Sequence, residues 1–248
     1  MPSFWRAVNG VIDEADIVLE VIDARAVDET RNREIEDKVR RQGKVLIYVL
    51  NKCDLADQKT LERWKKVLSP CVFVSCTDYH GIKMLRERII IEGKRAGKER
   101  PRVGVLGYPN MGKSSVINAL NGAGKARVSA ESGFTKGKQY VSARGFIMID
   151  SPGVIPYLEK DEVKHSMVGI NTHTKDPESA LLKIMEAHPG LVEKHYGVPV
   201  DEDKEDTLEE ISLKLKIIKK GNAPDTFKAA QRILKDIREG KMSIQPLE

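Results

Sequence analysis

The stretch Gly107-Tyr108-Pro109-Asn110-Met111-Gly112-Lys113-Ser114 follows the apolar run Val103 to Leu106 and fits the spacing G-x-x-x-x-G-K-[ST]. That is the spacing of a phosphate-binding loop. A phosphate chain needs several donors converging on it, and glycines let successive backbone N–H groups point inward without Cβ crowding. The helix expected from Lys113 adds its positive end. In this reading Asn110, Met111, Gly112, Lys113, Ser114 and Ser115 face the nucleotide phosphates. Lys113 is the point charge toward the β- and γ-phosphates, and the Ser114 hydroxyl ligates Mg2+.

Upstream of this loop, apolar strands alternate with helical spacing. Phe4 to Asp13 reads as a helix, Ile17 to Asp23 as a strand apolar on both faces, Arg33 to Gln42 as a helix and Lys44 to Leu50 as a second buried strand. Next stands Asn51-Lys52-Cys53-Asp54. The pattern N-K-x-D is what a guanine pocket needs in a short span. Guanine presents donors at N1–H and at its exocyclic amine, and a carboxylate such as Asp54 accepts both, whereas adenine would leave it unpaired. Asn51 either bonds the Hoogsteen side of the base or ties loops together, and the Lys52 stem lies over the ring. Leu61 to Leu68 reads as a helix, Cys71 to Val74 as a third strand, and Ser75-Cys76-Thr77 as a turn whose N–H groups meet the guanine carbonyl. Gly81 to Ile91 follows as an amphipathic helix. Parallel sheets bind ligands outside the carboxyl ends of their strands, so Asn51, Asp54, Ser75 and Cys76 fall on one edge. His80 reads as a loop residue.

Gly93 to Arg102 carries five basic residues and one acid without hydrophobic spacing, a positive linker. Gly124 to Gln139 is polar and glycine-rich, as suits a loop that orders on a ligand, and within it Thr135 is the natural second hydroxyl for Mg2+. Two short strands, Tyr140 to Arg144 and Phe146 to Asp150, run into Asp150-Ser151-Pro152-Gly153. Here Asp150 holds a water on Mg2+, and the Gly153 N–H senses the γ-phosphate. Lys113, Thr135 and Gly153 are thus the catalytic candidates, and Ser114, Thr135 and Asp150, through its water, the metal candidates. Beyond Tyr157 the pattern is helical over Pro177 to His188, Thr207 to Ile218 and Asp225 to Glu239. On the last of these Phe227, Ala230, Leu234 and Ile237 form one stripe, while Lys228, Arg232 and Lys235 form a face that is either solvated or in contact with RNA.

Composition narrows the classes. At 248 residues the chain suits one full domain and a smaller one, read as 1–160 for nucleotide binding, a connector 161–174 and a helical domain 175–248. A net charge of +5 is a mild bias toward polyanionic partners. Three cysteines without a C-x-x-C pair support neither a disulfide framework nor a zinc site, and a reducing cytoplasm is the simple inference. No apolar run approaches the roughly 20 residues of a membrane span.

Taken together, Asn51 to Asp54, Ser75 to Thr77, Gly107 to Ser114, Thr135 and Asp150 to Gly153 resemble the five guanine-nucleotide motifs of the Ras-like GTPases. In ordinary members the phosphate loop comes first; here the base motifs precede it, which resembles the circularly permuted GTPases. Asp23-Ala24-Arg25, the form of the phosphate loop and the helical extension look like the YlqF/YawG family of ribosome-assembly GTPases. The resemblance implies an α/β, Rossmann-like P-loop GTPase domain with permuted motif order, followed by a small all-α domain that binds RNA. It also implies GTP/GDP and Mg2+ as ligands, hydrolysis of GTP, and assembly of the large ribosomal subunit. Asn110 resembles the asparagine of GTPases stimulated by potassium. Val154 stands where many GTPases carry glutamine, so hydrolysis is expected to be slow without a partner or cation. The expected protein is a cytoplasmic monomer that meets the large subunit or its rRNA, without membrane or DNA as partner. A GTPase acting on tRNA or the small subunit, and a GTP-holding scaffold with negligible turnover, are the alternatives.

Overall fold

Ile17–Asp23 forms strand β1, buried at all seven positions, the pattern of a parallel strand covered on both faces. The computed structural model describes residues 3–122, 139–150 and 176–242. On one flank β1 pairs in parallel with β2 (Val45–Asn51), which pairs in parallel with β3 (Cys71–Val74). On the other flank it pairs in parallel with β4 (Arg102–Leu106), which pairs in parallel with β6 (Phe146–Asp150). Strand β5 (Gln139–Ala143) closes the edge antiparallel to β6. The six-stranded order is β3-β2-β1-β4-β6-β5. After β1 the chain proceeds outward through β2 and β3, then returns to lay β4 on the opposite flank of β1. A sheet that reverses in this way opens a crevice at the carboxyl ends of the two strands concerned, here β1 and β4.

Helices cover the sheet. Val8, Val11 and Ile12 of α1 (Ser3–Glu14) share one buried cluster with Ile35 and Val39 of α3 (Arg33–Arg41) and with Val18, Ile22, Leu46 and Leu50 of the sheet. Leu61 and Trp64 of α4 (Gln58–Val67) pack at its margin. The short α2 (Val27–Thr30) follows β1. Outside that cluster, α5 (Ile82–Arg95) and α6 (Lys113–Asn121) pack on each other and on the sheet. The Asn32 side chain accepts from the Ile35 N–H and that of Asp57 from the Thr60 N–H, caps worth about 1 kcal/mol each.

The chain divides into two compact units, Met1–Glu159 and Lys160–Glu248. In the second, α7 (Pro177–Ala187), α8 (Leu191–Tyr196), α9 (Lys204–Lys214) and α10 (Thr226–Arg238) enclose Leu181, Ile184, Val192, Ile211, Ala229 and Ile233. Asp176, Asp203 and Asp225 cap α7, α9 and α10.

Three expectations need correction, and one helix, α8, was not expected. Helix α5 continues through Arg95, with Gly93 buried inside it, so the first part of the presumed linker is helical. The helix read over Thr207 to Ile218 is α9, which starts at Lys204, where Asp203 accepts from the Glu205 and Asp206 N–H groups, and ends at Lys214. The six residues of α8 carry too little pattern to be seen in sequence. On α10 Ala230, Leu234 and Ile237 are buried as read, but Phe227 is 40% exposed and Ala229 and Ile233 join the core instead. The connector 161–174 lies outside the described residues.

Candidate guanine-nucleotide site

The phosphate loop leaves β4 at the crevice between β1 and β4. Gly107, at φ 141, runs so close to β1 that an added Cβ would stand 2.4 Å from the Val21 carbonyl oxygen. Gly112, at φ 89, begins α6 as an N-cap without a side-chain cap bond, which leaves the first turn of the helix open to an anion. Asn110 is exposed and adopts φ 63; asparagine tolerates the left-handed region, so the turn itself is reason enough for this residue. Met111 is buried in the loop, and Ser114 and Ser115 are exposed on the first turn of α6.

Lys113 is only 8% exposed, and its Nζ donates to the Tyr108 carbonyl at 2.7 Å across the loop. Burial pulls its ammonium down to about 8, and the charge of Asp150 opposes that pull. Asp150 ends β6, in register with Val105 of β4, and so lies on the same edge as the loop. The Ser114 hydroxyl and the Asp150 carboxylate are hard oxygen donors. Mg2+ takes one or two such groups and completes its shell with phosphate oxygens and water, so these two fit it. Among the described residues no group of three or more His, Cys, Asp or Glu forms a cage of its own.

On the base side, Asn51 ends β2, is 3% exposed, and donates from Nδ2 to the Met111 carbonyl at 2.8 Å. Its Oδ1 accepts from the Cys76 thiol at 3.3 Å. Burial, then the charge of Asp54, pushes that thiol up to about 11, which keeps the donating S–H in place. Of the two roles open to Asn51 in sequence, the structure shows the tie between loops. Lys52 adopts φ 60, and its Nζ reaches Asp23 Oδ2 at 2.9 Å. Asp54 lies exposed in the 3-10 turn Cys53–Leu55, free of the apolar core, as a carboxylate that meets a base edge should be.

Ser75 is buried, its N–H donates to the His80 carbonyl at 3.0 Å, and its Oγ accepts from the Asp78 N–H at 3.2 Å, bonds that close the turn carrying Cys76 and Thr77. His80 is exposed and enters through its carbonyl, in keeping with a loop residue. Thr135 and Gly153 lie outside the described residues. The structure thus brings Asn51, Lys52, Asp54 and Cys76 to one rim with Asn110 to Ser115 and Asp150. It also brings to the same edge Asp23 and Arg25, which the sequence singled out only as part of the run Asp23-Ala24-Arg25.

Residues 102–231, just over half of the chain, match the family described as 50S ribosome-binding GTPase. The match begins at β4, the strand that leads into the phosphate loop, and the base tetrad precedes it. An uncharacterized GTP-binding protein of Methanocaldococcus jannaschii is 39% identical over 244 residues, covering 96% of this chain and 65% of its own length. Nucleolar GTP-binding protein 2 of Neurospora crassa is 33% identical over 96% of this chain and 40% of its own length. Its counterpart in Saccharomyces cerevisiae is 31% identical over 96% and 52%. The chain therefore spans about half the length of these relatives. Among solved structures, the GNP-bound YlqF from T. maritima superimposes with a TM-score of 0.69 at 24% identity, over 97% of both chains, and shares the fold.

Proposed function

Because the chain belongs to the 50S ribosome-binding GTPase family, we propose that it is a GTP-hydrolysing assembly factor for the large ribosomal subunit, whose nucleotide state gates its hold on rRNA. The observation that supports this best is the Asn51 to Met111 bond, which joins the guanine tetrad to the phosphate loop in a permuted chain. In the proposed mechanism Asp54 accepts from the guanine edge, the first turn of α6 and Lys113 hold the phosphates, and Ser114 and Asp150 hold Mg2+. When bound, Mg2+ neutralises charge on the phosphate oxygens. Lys113 exchanges its bond to the Tyr108 carbonyl for the β- and γ-phosphates, which restores the charged form that burial penalises. Thr135 and Gly153 complete the metal and γ-phosphate contacts in the proposal. With Val154 in place of glutamine, intrinsic turnover is slow, and the particle accelerates it. Potassium beside Asn110 is part of the same reading; equal phosphate release in potassium and sodium would leave Asn110 its turn alone.

The helical unit supports RNA contact on one side. Of the cations on α10, Lys228 pairs with Asp225 at 3.1 Å, Arg232 with Asp236 at 3.0 Å and Lys235 with Glu239 at 3.6 Å, so that face is largely self-neutralised. A groove of about 550 Å³ is lined by five acids, Asp176, Glu178, Glu186, Glu205 and Glu209, against one cation, Lys183, a balance of the wrong sign for phosphate. The hairpin closed by the Ile218 to Pro224 bridge instead exposes Lys219 and Lys220, with Lys216 just before it. The proposal places phosphate contacts there. Sedimentation with purified subunits, in a non-hydrolysable GTP analogue and in GDP at matched salt, tests the reading. Preferential pelleting with the large subunit in the analogue is expected. Equal pelleting in both nucleotides, or pelleting with small subunits or tRNA alone, would reject it.

A further inference from the structure

Strand β1 ends at the switch point with Asp23, in register with Asn51 of the base tetrad. The Asp23 side chain is 5% exposed, and both its oxygens are engaged. Oδ1 accepts from Arg25 Nε at 2.9 Å and from the Arg25 backbone N–H at 3.1 Å. Oδ2 accepts from Arg25 Nη2 at 2.7 Å and from Lys52 Nζ at 2.9 Å. Behind it, the Thr30 hydroxyl accepts from the Asp23 N–H at 3.0 Å and donates to the Ala26 carbonyl at 2.6 Å, which fixes the loop that carries Arg25. Burial alone would raise the Asp23 carboxyl, but the Arg25 bonds and the Arg25 and Lys52 charges outweigh it and hold it below the ordinary carboxylate range.

This is an expensive arrangement for holding one loop. A buried carboxylate and its cations seldom stabilise a fold better than apolar packing would. Lys52 is moreover kept at φ 60, a region non-glycine residues rarely enter and that clusters at ligand sites. A free lysine side chain carries about 2 kcal/mol of rotamer entropy, which a ligand that needs its stem must overcome. Fixing the ammonium in advance removes that cost at binding. We propose that Asp23, oriented by Arg25, is a positioning residue for guanine recognition: it clamps the Lys52 ammonium against the end of β1, so that the four-carbon stem stands as a preformed wall for the base. The inference rests on Asn51 to Asp54 being the base site.

The test is a double-mutant cycle in the full chain, read by titration with fluorescent GDP and by steady-state GTP hydrolysis. Asp23→Asn should weaken GDP binding about tenfold when Lys52 is present and less than about twofold in a Lys52→Met background, because the carboxylate acts through the lysine. KM should rise while kcat at saturation stays within about twofold. Losses equal in both backgrounds, or no loss in either, overturn the inference. If Lys52→Met alone leaves GDP affinity unchanged, the base-site reading falls with it, an outcome distinct from the first two. Should Asp23→Asn fail to fold, Arg25→Met keeps the carboxylate and removes its orienting partner. It should cost about threefold with Lys52 present and nothing measurable without it, and equal costs overturn the inference.

Discussion

The Asn51 amide donates to the Met111 carbonyl at 2.8 Å, a buried bond between residues 60 positions apart that joins the end of β2 to the phosphate loop. Base and phosphate elements are therefore one mechanical unit. Asn51→Ala strands the buried Met111 carbonyl and frees the Cys76 thiol, at a cost of roughly 1–3 kcal/mol. GDP affinity should fall by about tenfold or more, and inorganic tripolyphosphate, which has no base, should weaken as well. Competition titrations measure both, and a loss confined to GDP would show that the bond does not brace the loop.

Gly112→Ala should act on the same bond from the other side. Its Cβ would lie 2.3 Å from Asn51 Nδ2 at φ 89, so the loop or the amide must move. Nucleotide affinity should drop at least as far as in Asn51→Ala, with the two changes less than additive in combination. Full additivity would mean the residues act independently.

Asp54→Asn should exchange guanine preference for xanthine preference, since a carboxylate that accepts twice becomes an amide that accepts once and donates to the xanthine C2 carbonyl. Parallel titrations with GTP and XTP decide it. An unchanged GTP preference would remove Asp54 from the base site.

Lys113 sets a pH dependence. Its pKa in the free protein is depressed to about 8, whereas phosphate contact favours the charged form, so binding takes up a proton above that pH. Affinity should be flat just below about pH 7.5 and weaken about fivefold between pH 8 and pH 9. Calorimetry in buffers of different ionisation enthalpy would show the uptake directly. A flat profile would mean that the lysine stays charged in the free loop.

Glu20, in register with Leu106 at the end of β4, makes a stability prediction. It is fully buried on β1, with Oε1 accepting from the Asn32 N–H at 2.6 Å and Oε2 unpartnered among the described residues. Burial first, then the Glu36 charge, raises it to about 8. A carboxyl raised in the fold stabilises fully below its unfolded value and loses that contribution as pH rises toward 8. Glu20→Gln keeps the neutral shape without the titration. Its stability relative to the native chain should climb by roughly 1 kcal/mol per pH unit between about pH 4.5 and pH 8, then level, as read by urea unfolding. A constant difference would mean that Glu20 is ionised in the fold.

The motifs were legible because each is a short run whose chemistry depends on local spacing. Gly107 to Ser114 announces a glycine turn between a strand and a helix start, and Asn51 to Asp54 announces a polar turn at a strand end, whatever lies between them. Buried parallel strands such as Val45–Asn51 are equally visible, since a run apolar on both faces needs cover on both. Cap-dependent boundaries were harder: α9 starts at Lys204, ahead of the Thr207 read from apolar spacing, because the Asp203 side chain accepts from the Glu205 and Asp206 N–H groups.

Tertiary structure decided what the motifs do to one another. The order of motifs along the chain says nothing of the reversal between β1 and β4 that brings Asn51 beside Met111, nor of the β1–β2 register that sets Asp23 beside Lys52. Tertiary structure also gave the Ser75 N–H a partner in the His80 carbonyl, which spacing along the chain did not indicate. Spacing within a motif is written by covalent neighbours, whereas hydrogen bonds between motifs depend on strand order and register, which only the packed sheet determines.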